Sequence, residues 1–257
     1  GEIYNFQELR KQTEQRGHRY RTKTDTEVLV HLYEEYGTEL ATHLKGMFAF
    51  AVFDVAANRV LLARDRFGEK PLFFHERDGS LVFASEIRAL LEWPAIGRRL
   101  DHEAFGYFLR LGFAPSPLTL FADVRELPPG SLLVWEGGRV SQRRYYRPDY
   151  TPDPASGGHV EAVEAVRAAL DGAVRRQMVS DVPIGAFLSG GVDSSAVVAM
   201  LQRASARPVK TFTVRFEEAS YDESPIAKEV ARHLGTEHTE ITVANAGFQP
   251  ADLWRIV

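Results

Sequence analysis

The sequence predicts a protein of two domains, an α+β domain with antiparallel strands followed by an α/β domain with a parallel sheet. Its 257 residues, of which 44% are hydrophobic, are enough for two cores. Residues 149–158 are dense in Pro, Gly and Ser and have the composition of a linker. Strand-like segments come in pairs before this linker, whereas strands and helices alternate after it. We therefore expect domains at residues 1–148 and 159–257.

The first half carries two predicted antiparallel strand pairs, with a helix on either side of them in the chain. Met47–Asp54 and Arg59–Arg64 flank a short turn. Pro71–Glu76 and Ser80–Ser85 flank Asp78-Gly79, a dipeptide typical of two-residue hairpin turns. The predicted helices are Asp25–Tyr36, ended by Gly37, and Glu86–Trp93, ended by Pro94.

The second half alternates predicted helices and strands, a pattern typical of a parallel sheet covered by helices. The order is helix His159–Met178, strand Val182–Leu188, helix Ser194–Leu201, strand Val209–Val214, helix Ser224–Leu234 and strand His238–Val243. Apolar residues at helical spacing predict the buried faces of the first two helices. They are Val160, Val163, Val166, Leu170, Val174 and Met178 in one, and Ala196, Val197, Met200 and Leu201 in the next. Ligands of parallel sheets bind at the carboxyl ends of strands, here near Leu188 and Val214.

Charge and composition exclude several classes of protein. The 31 basic and 35 acidic residues give a net charge of −4, which argues against nucleic-acid binding. No apolar run is long enough to span a membrane. Without cysteine, the chain has neither a disulfide framework nor a thiolate metal site. We expect a cytoplasmic enzyme that binds neither nucleic acid nor membrane.

The segment Ser189-Gly190-Gly191-Val192-Asp193-Ser194-Ser195 joins a predicted strand to a predicted helix. Its glycines let the backbone approach an anion closely, and its serine hydroxyls are donors. The N-terminus of the following helix adds N–H groups and partial positive charge. No lysine is present, which distinguishes the segment from the loop that grips the β- and γ-phosphates of nucleotides. The pattern predicts a phosphate site, and an ordinary Ser/Gly helix cap is the alternative.

From Asp181 to Ser195 the sequence resembles the pyrophosphate loop of ATP pyrophosphatases, and more specifically the synthetase domain of glutamine-hydrolysing asparagine synthetases. The resemblance implies an adenine nucleotide α-hydrolase-like fold that binds ATP and Mg²⁺. It also implies that the loop backbone holds pyrophosphate and that Asp193 helps to hold the Mg²⁺. Leu188 would lie by the adenine, and Val214 would contact it through its backbone. The alternative for Val214 is a plain core residue of a strand.

Four segments of the first half together resemble the class II glutamine amidotransferase domain, a sandwich-type antiparallel N-terminal-nucleophile hydrolase fold. They are Gly1–Phe6, Thr24–Val28, Leu44–Phe50 and Arg64–Leu72. The resemblance implies that Gly1 belongs to the oxyanion hole and that Gly1, Glu2 and Asp25 bind glutamine, the two carboxylates holding its α-ammonium.

These assignments have structural alternatives. Glu2 would ordinarily be solvated, and Thr24–Glu27 is also a capping box with Thr24 as N-cap and Glu27 as N3. In Arg64–Gly68, we expect the charges to pair with each other and assign no catalytic role.

The chain departs from the amidotransferase pattern at the nucleophile. The family uses an N-terminal cysteine, whereas this chain has none and starts at the glycine of the oxyanion hole. We expect a fragment truncated at both ends, inactive on its own, of a ligase that acts on glutamine, aspartate and ATP. A homodimer is compatible with this expectation. A relative that amidates another carboxylate, a β-lactam-synthetase-like enzyme, a tRNA-modifying pyrophosphatase and an inactive nucleotide-binding remnant are the alternatives.

Overall fold

The computed structural model describes residues 1–151, 157–180, 182–216, 218 and 222–243. The chain divides into two compact units, Gly1–Thr151 and Pro152–Val257. No helix within the described ranges is both long enough and apolar enough to cross a lipid bilayer.

The first unit contains antiparallel strands with helices on both sides of them. Its helices are α1 (Phe6–Gln15), α2 (Glu27–Tyr36), a 3₁₀ helix (Gly37–His43), α3 (Ile87–Leu91) and α4 (His102–Leu111). Its strands are β1 (Glu2–Ile3), β2 (Gly46–Met47), β3 (Ala49–Asp54), β4 (Arg59–Arg64), β5 (Phe73–Arg77), β6 (Ser80–Ala84), β7 (Arg125–Glu126), β8 (Ser131–Glu136) and β9 (Arg139–Arg144).

These strands form a four-stranded sheet β3-β4-β8-β9, a three-stranded sheet β6-β5-β7 and the pair β1-β2, all antiparallel. The predicted strand pairs are confirmed. In the β5–β6 hairpin, Asp78 and Gly79 have φ of 52° and 76°, as a two-residue turn of this type requires. The predicted helix over residues 86–93 is shorter, since α3 covers Ile87–Leu91.

The first unit has four layers, with two sheets between helices. Neighbouring residues of β4 face opposite sides of their sheet and therefore pack into different layers. Leu61 packs with the buried face of α2, which contributes Val28 and Leu32. Leu62 packs with Phe74 of the three-stranded sheet. On the far side of that sheet a further cluster includes Leu90, Ile96 and Val124. Helices therefore cover the outer faces of two stacked sheets.

The second unit is an α/β structure with a parallel sheet. Its elements are α5 (His159–Gln177), β10 (Gly185–Phe187), α6 (Val192–Ala204), β11 (Lys210–Phe216), α7 (Ser224–Leu234) and β12 (Glu237–Val243). The strands pair in parallel in the order β10-β11-β12. The predicted alternation of strands and helices, the bounds of α7 and its end at Gly235 are confirmed.

Burial in the second unit differs from the sequence prediction in two places. The predicted strand Val182–Leu188 has only three residues in the sheet, and Phe187 is 78% exposed. In α5, Val160 and Val166 are exposed, whereas Val174 is buried against Leu201. The reason is that α5 packs on α6 only near its C-terminal end.

The buried face of α6 also differs, because Val198 is fully buried there and Val197 is exposed. Apolar spacing alone does not distinguish two valines that are neighbours in the chain.

Candidate functional site

The loop at residues 189–191 joins the carboxyl end of β10 to the first turn of α6. Gly190 has a φ of 81°, which favours glycine. A Cβ atom at Gly190 would lie 2.8 Å from Cγ2 of Ile226 and 2.9 Å from the backbone nitrogen of Ala227. The loop therefore approaches the first turn of α7 so closely that only glycine fits at this position.

Two serines hold the loop in its shape. The hydroxyl oxygens of Ser189 and Ser194 are 3.0 Å apart, and the Ser194 hydroxyl oxygen also accepts the N–H of Ser189 at 3.3 Å. The Ser194 hydroxyl lies 3.1 Å from the carbonyl oxygen of Gly191, to which it can donate. The N–H of Gly191 donates to the Ser189 hydroxyl at 3.3 Å. Hydrogen bonds from the two serine side chains thus fix the conformation of the loop.

The start of α6 provides donors and one acid. Gly191 is the N-cap and no side chain caps the helix, so the first N–H groups of the helix are open to a ligand. Ser195 has a buried hydroxyl oxygen with no hydrogen-bond partner among the described residues. Asp193 is exposed in the first turn. N–H groups and hydroxyls at a helix N-terminus make a site for a phosphate group.

A cavity of about 210 Å³ lies at the carboxyl ends of β10 and β11, beside this loop. It is lined by Phe187, Leu188, Ser189, Phe212, Thr213, Val214, Phe216 and Glu223. The structure thus places Leu188 and Val214, both singled out from the sequence, around one cavity with Ser189. The Thr213 hydroxyl donates to the carbonyl oxygen of Leu188 and ties the two strand ends together.

Sequence reasoning missed the aromatic residues and the acid of this cavity. Phe212, Val214 and Phe216 alternate along β11 and so share one face of it. Alternation past the predicted end of the strand at Val214 is the signal that could have found Phe216. Glu223 is the N-cap residue of α7.

The residues predicted to bind glutamine lie near one another in the first unit. The N–H of Ile3 donates to Oδ2 of Asp25 at 2.8 Å, so Asp25 contacts the residue next to Glu2. Glu2 is exposed and pairs with Met47 across β1 and β2. A Cβ atom at Gly1 would lie 2.6 Å from the carbonyl oxygen of Met47, so this position has no room for a side chain. The structure therefore brings Gly1, Glu2 and Asp25 to the same short strand.

The predicted capping box at Thr24–Glu27 is wrong. α2 begins at Glu27 with Thr26 as N-cap, and no side chain caps it. Instead, the carboxylate of Glu27 accepts the N–H groups of Arg21 at 2.7 Å and Thr22 at 2.6 Å. The Arg21 N–H first, then a hydrogen bond from the Thr22 hydroxyl and the Thr22 N–H, lower the pKa of Glu27 to about 2. Glu27 is committed to the segment before the helix and cannot reach back to a cap.

The prediction that Arg64 and Asp65 pair with each other is also wrong. Arg64 lies 2.7 Å from Glu126 and donates to three backbone carbonyl oxygens, those of Gly68, Lys70 and Leu127. The Asp65 side chain is fully buried and accepts four backbone N–H groups, those of Phe48, Phe67, Glu69 and Lys70. Arg64 is thus satisfied by Glu126 and backbone carbonyl oxygens, and Asp65 by backbone N–H groups, without a contact between the two charges.

Asp65 links this buried loop to the predicted glutamine site. Its hydrogen bond to the N–H of Phe48 fixes the residue that follows β2. The Cα atom of Phe48 is 2.9 Å from the Cβ position of Gly1, so Phe48 forms part of the surface against which Gly1 packs. Asp65 therefore acts on the backbone at Gly1 through Phe48.

Another cavity of the first unit lies elsewhere. It has a volume of about 700 Å³ and is formed mainly by residues of α2 and β3, including Val30, Tyr33 and Phe53. None of the predicted glutamine-binding residues lines it. Volume alone is no reason to assign glutamine binding to this cavity instead of to Gly1, Glu2 and Asp25.

Two family models match the chain, one in each unit. A glutamine amidotransferase domain model matches residues 1–146, and an asparagine synthase model matches residues 165–255. The first match covers more than half of the sequence, and the chain therefore belongs to the glutamine amidotransferase domain family.

Its curated relatives carry both parts in one protein. The chain is 34% identical to asparagine synthetase [glutamine-hydrolyzing] 3 of Bacillus subtilis, over 95% of this chain and 42% of the relative. It is 37% identical to asparagine synthetase [glutamine-hydrolyzing] 1 of the same organism, over 93% of this chain and 37% of the relative. It is 33% identical to asparagine synthetase B [glutamine-hydrolyzing] of Escherichia coli, over 94% of this chain and 40% of the relative. The chain spans about two fifths of the length of these relatives.

Proposed function

We propose that this chain is the amidotransferase part and the nucleotide-binding part of an enzyme that makes asparagine from aspartate, glutamine and ATP. The observation that carries the proposal is the order of the two family matches along one chain, amidotransferase first and asparagine synthase second. The names of the relatives support the same reaction.

In the first unit, we propose an N-terminal-nucleophile hydrolase fold that releases ammonia from glutamine. The four layers, helices outside two stacked antiparallel sheets, support this fold. Glu2 and Asp25 would hold the α-ammonium of glutamine, since a bound ammonium needs nearby anions. Gly1 would donate its backbone N–H to the oxyanion that forms when the amide carbonyl is attacked. The nucleophilic cysteine of this class of enzyme is not among the 257 residues.

In the second unit, we propose an ATP pyrophosphatase fold that activates the aspartate side chain. A carboxylate oxygen of aspartate attacks the α-phosphorus of ATP, the bond to the β-phosphate breaks, and aspartyl-AMP and pyrophosphate result. Ammonia then displaces AMP and gives asparagine. Negative charge builds on the departing pyrophosphate, where the uncapped N–H groups in the first turn of α6 can stabilise it. Leu188 and Val214 would contact the adenine in the cavity between the two strand ends.

The acids at this edge of the sheet fit a magnesium ion bound together with nucleotide. Mg²⁺ is commonly held by one or two carboxylates plus substrate phosphates, and Asp193 stands at the loop that would hold those phosphates. Glu223 lines the same cavity as Ser189 and is the second carboxylate that can contribute. The ion would neutralise charge on the departing phosphates. Asp193 and Glu223 would place it beside the loop.

Binding of ATP by the chain tests the second unit. We expect Asp193→Asn to weaken binding of ATP with Mg²⁺, measured by calorimetry, by about tenfold or more. Glu164→Gln on α5 removes the same charge from an exposed helix and is the matched control. Equal affinity of both variants and the unchanged chain would contradict the assignment of Asp193.

The reaction itself is tested on the protein purified from its natural source. We expect formation of asparagine, AMP and pyrophosphate in equal amounts from aspartate, glutamine and ATP. Pyrophosphate with a different carboxylate but none with aspartate would favour a related amidotransferase or a β-lactam-synthetase-like ligase. ATP binding without pyrophosphate from any carboxylate would indicate a nucleotide-binding remnant.

A further inference from the structure

Three side chains that no part of the proposed reaction uses meet on the outer side of the first unit. His18 lies in the connection between α1 and α2, and His31 and Glu34 lie one turn apart on α2. The Nδ1 atoms of the two histidines are 3.1 Å apart. Oε2 of Glu34 is 3.1 Å from Nδ1 of His31 and 3.1 Å from Nδ1 of His18. The three atoms form an equilateral triangle.

This triangle has the dimensions of one face of a metal coordination sphere. In a tetrahedral zinc site with bonds of about 2.0 Å, neighbouring ligand atoms lie about 3.3 Å apart. An ion at that bond length from all three atoms would lie about 1 Å from their plane. The side chains already stand at the separation that a metal requires.

The surrounding contacts support this arrangement. Nε2 of His18 is 2.7 Å from Oε1 of Glu35, whose other oxygen accepts from Arg16 at 2.7 Å. A ligating histidine commonly donates its second N–H to a carboxylate, which fixes its orientation. Donation to Glu35 would leave Nδ1 of His18 as the atom that binds the metal.

The position of the proton on the His31 ring also favours a bound metal. Nε2 of His31 is buried and has no hydrogen-bond partner among the described residues, and it lies 3.8 Å from a carboxylate oxygen of Glu27. Without a metal, His31 can satisfy Nδ1 of His18 by donating its own Nδ1–H. That tautomer leaves a bare nitrogen lone pair buried near the Glu27 carboxylate. With Nδ1 bound to a metal, the proton moves to Nε2 and faces Glu27 instead.

We propose that His18, His31 and Glu34 bind a zinc ion or a similar transition metal. Two imidazoles and one carboxylate suit Zn²⁺, whereas Mg²⁺ and Ca²⁺ prefer oxygen ligands alone. Glu34 is 55% exposed, so water can occupy the fourth position. Glu35 is a positioning residue that orients His18. The ion would join the segment before α2 to the helix itself.

Zinc binding by the full chain, prepared without an affinity tag, tests the proposal. The probe is Zn²⁺ alone, measured by competition with a chromophoric chelator. We expect one ion per chain, with a dissociation constant of roughly 10 µM or tighter. His18→Ala and His31→Ala should remove this binding. Because each could disturb packing, Glu34→Gln is the milder variant, and it should weaken binding by about tenfold or more. His102→Gln, at an exposed histidine on α4, is the control and should bind like the unchanged chain.

Two further measurements separate a zinc site from a simple cluster of charges. Glu35→Gln should weaken zinc binding by about 10–100-fold while leaving one ion per chain. Millimolar Mg²⁺ should not displace the zinc. No zinc binding in this concentration range, equal binding by the histidine variants and the unchanged chain, or displacement by Mg²⁺ would each overturn the proposal. None of these measurements uses glutamine or ATP, so their outcome is independent of the proposed enzymatic function.

Discussion

Replacing Asp65 by asparagine should destabilise the first unit strongly, because the aspartate carboxylate accepts four backbone N–H groups in a fully buried position. Oδ1 accepts from Phe67 and Glu69 at 3.0 Å, and Oδ2 accepts from Lys70 at 3.0 Å and Phe48 at 3.3 Å. Asparagine keeps one oxygen. Its NH₂ group must face two N–H donors in either orientation of the amide.

The magnitude follows from the two acceptor positions that are lost. A hydrogen bond to a charged group contributes about 1.5–3 kcal/mol, so losing two should lower the free energy of unfolding by about 3–6 kcal/mol. This is a large fraction of the stability of a typical domain, which is about 5–15 kcal/mol. The variant should therefore unfold at a much lower urea concentration.

Urea unfolding and hydrogen exchange measure this effect. We expect faster exchange of the amides at Phe67, Glu69 or Lys70 in Asp65→Asn. The control is Asp78→Asn, the same chemical change at a side chain that is 90% exposed, which should alter the free energy of unfolding by less than about 0.5 kcal/mol. A loss below about 1 kcal/mol with unchanged amide exchange would refute the role given to the Asp65 carboxylate.

Three more predictions concern acid, alkali and the loop before α6. The pKa of Glu27 lies at about 2, below its ordinary value of 4.5, so its stabilising contribution is full above pH 4.5 and is lost toward pH 2. The free energy of unfolding should therefore fall less between pH 4.5 and pH 2 in Glu27→Gln than in the unchanged chain. An equal fall in both proteins would contradict this role of Glu27. Burial raises the pKa of Tyr145 above its ordinary value of 10, so the protein should lose stability as pH rises above 10. Thermal melts should show a smaller alkaline loss in Tyr145→Phe, whereas an equal loss would exclude this group. Gly190→Ala should lower the free energy of unfolding of the second unit by about 1–3 kcal/mol, because of its positive φ and the contact with Ile226. Gly191→Ala, whose Cβ meets only the Ser189 hydroxyl at 3.3 Å, is the comparison and should cost less.

Much of the fold could be predicted because its signals are local. Asp78-Gly79 predicts its hairpin from two residues, and alternating strands and helices predict the parallel sheet. The hairpin of β8 and β9 carries an equally local signal in Gly137-Gly138, and both glycines have positive φ. Burial of α5 could not be predicted in the same way. Its apolar stripe is regular, but its contacts depend on where α6 crosses it.

The candidate sites likewise differ in whether their residues are neighbours in the sequence. Residues 189–195 are contiguous, so their chemistry could be predicted from the sequence. The four donors around Asp65 come from the residue after β2 and from the loop after β4, and only the folded chain brings them to one carboxylate. His18 and His31 are likewise separated by a turn whose path no spacing rule predicts.

The hydrogen bonds between Ser189 and Ser194 have a consequence for the thermodynamics of ligand binding. They hold the loop in a defined conformation before any ligand arrives. The conformational entropy that a free loop would lose on binding is therefore already lost when the second unit folds. A phosphate-bearing ligand of the proposed kind would therefore bind without first ordering the backbone of the loop.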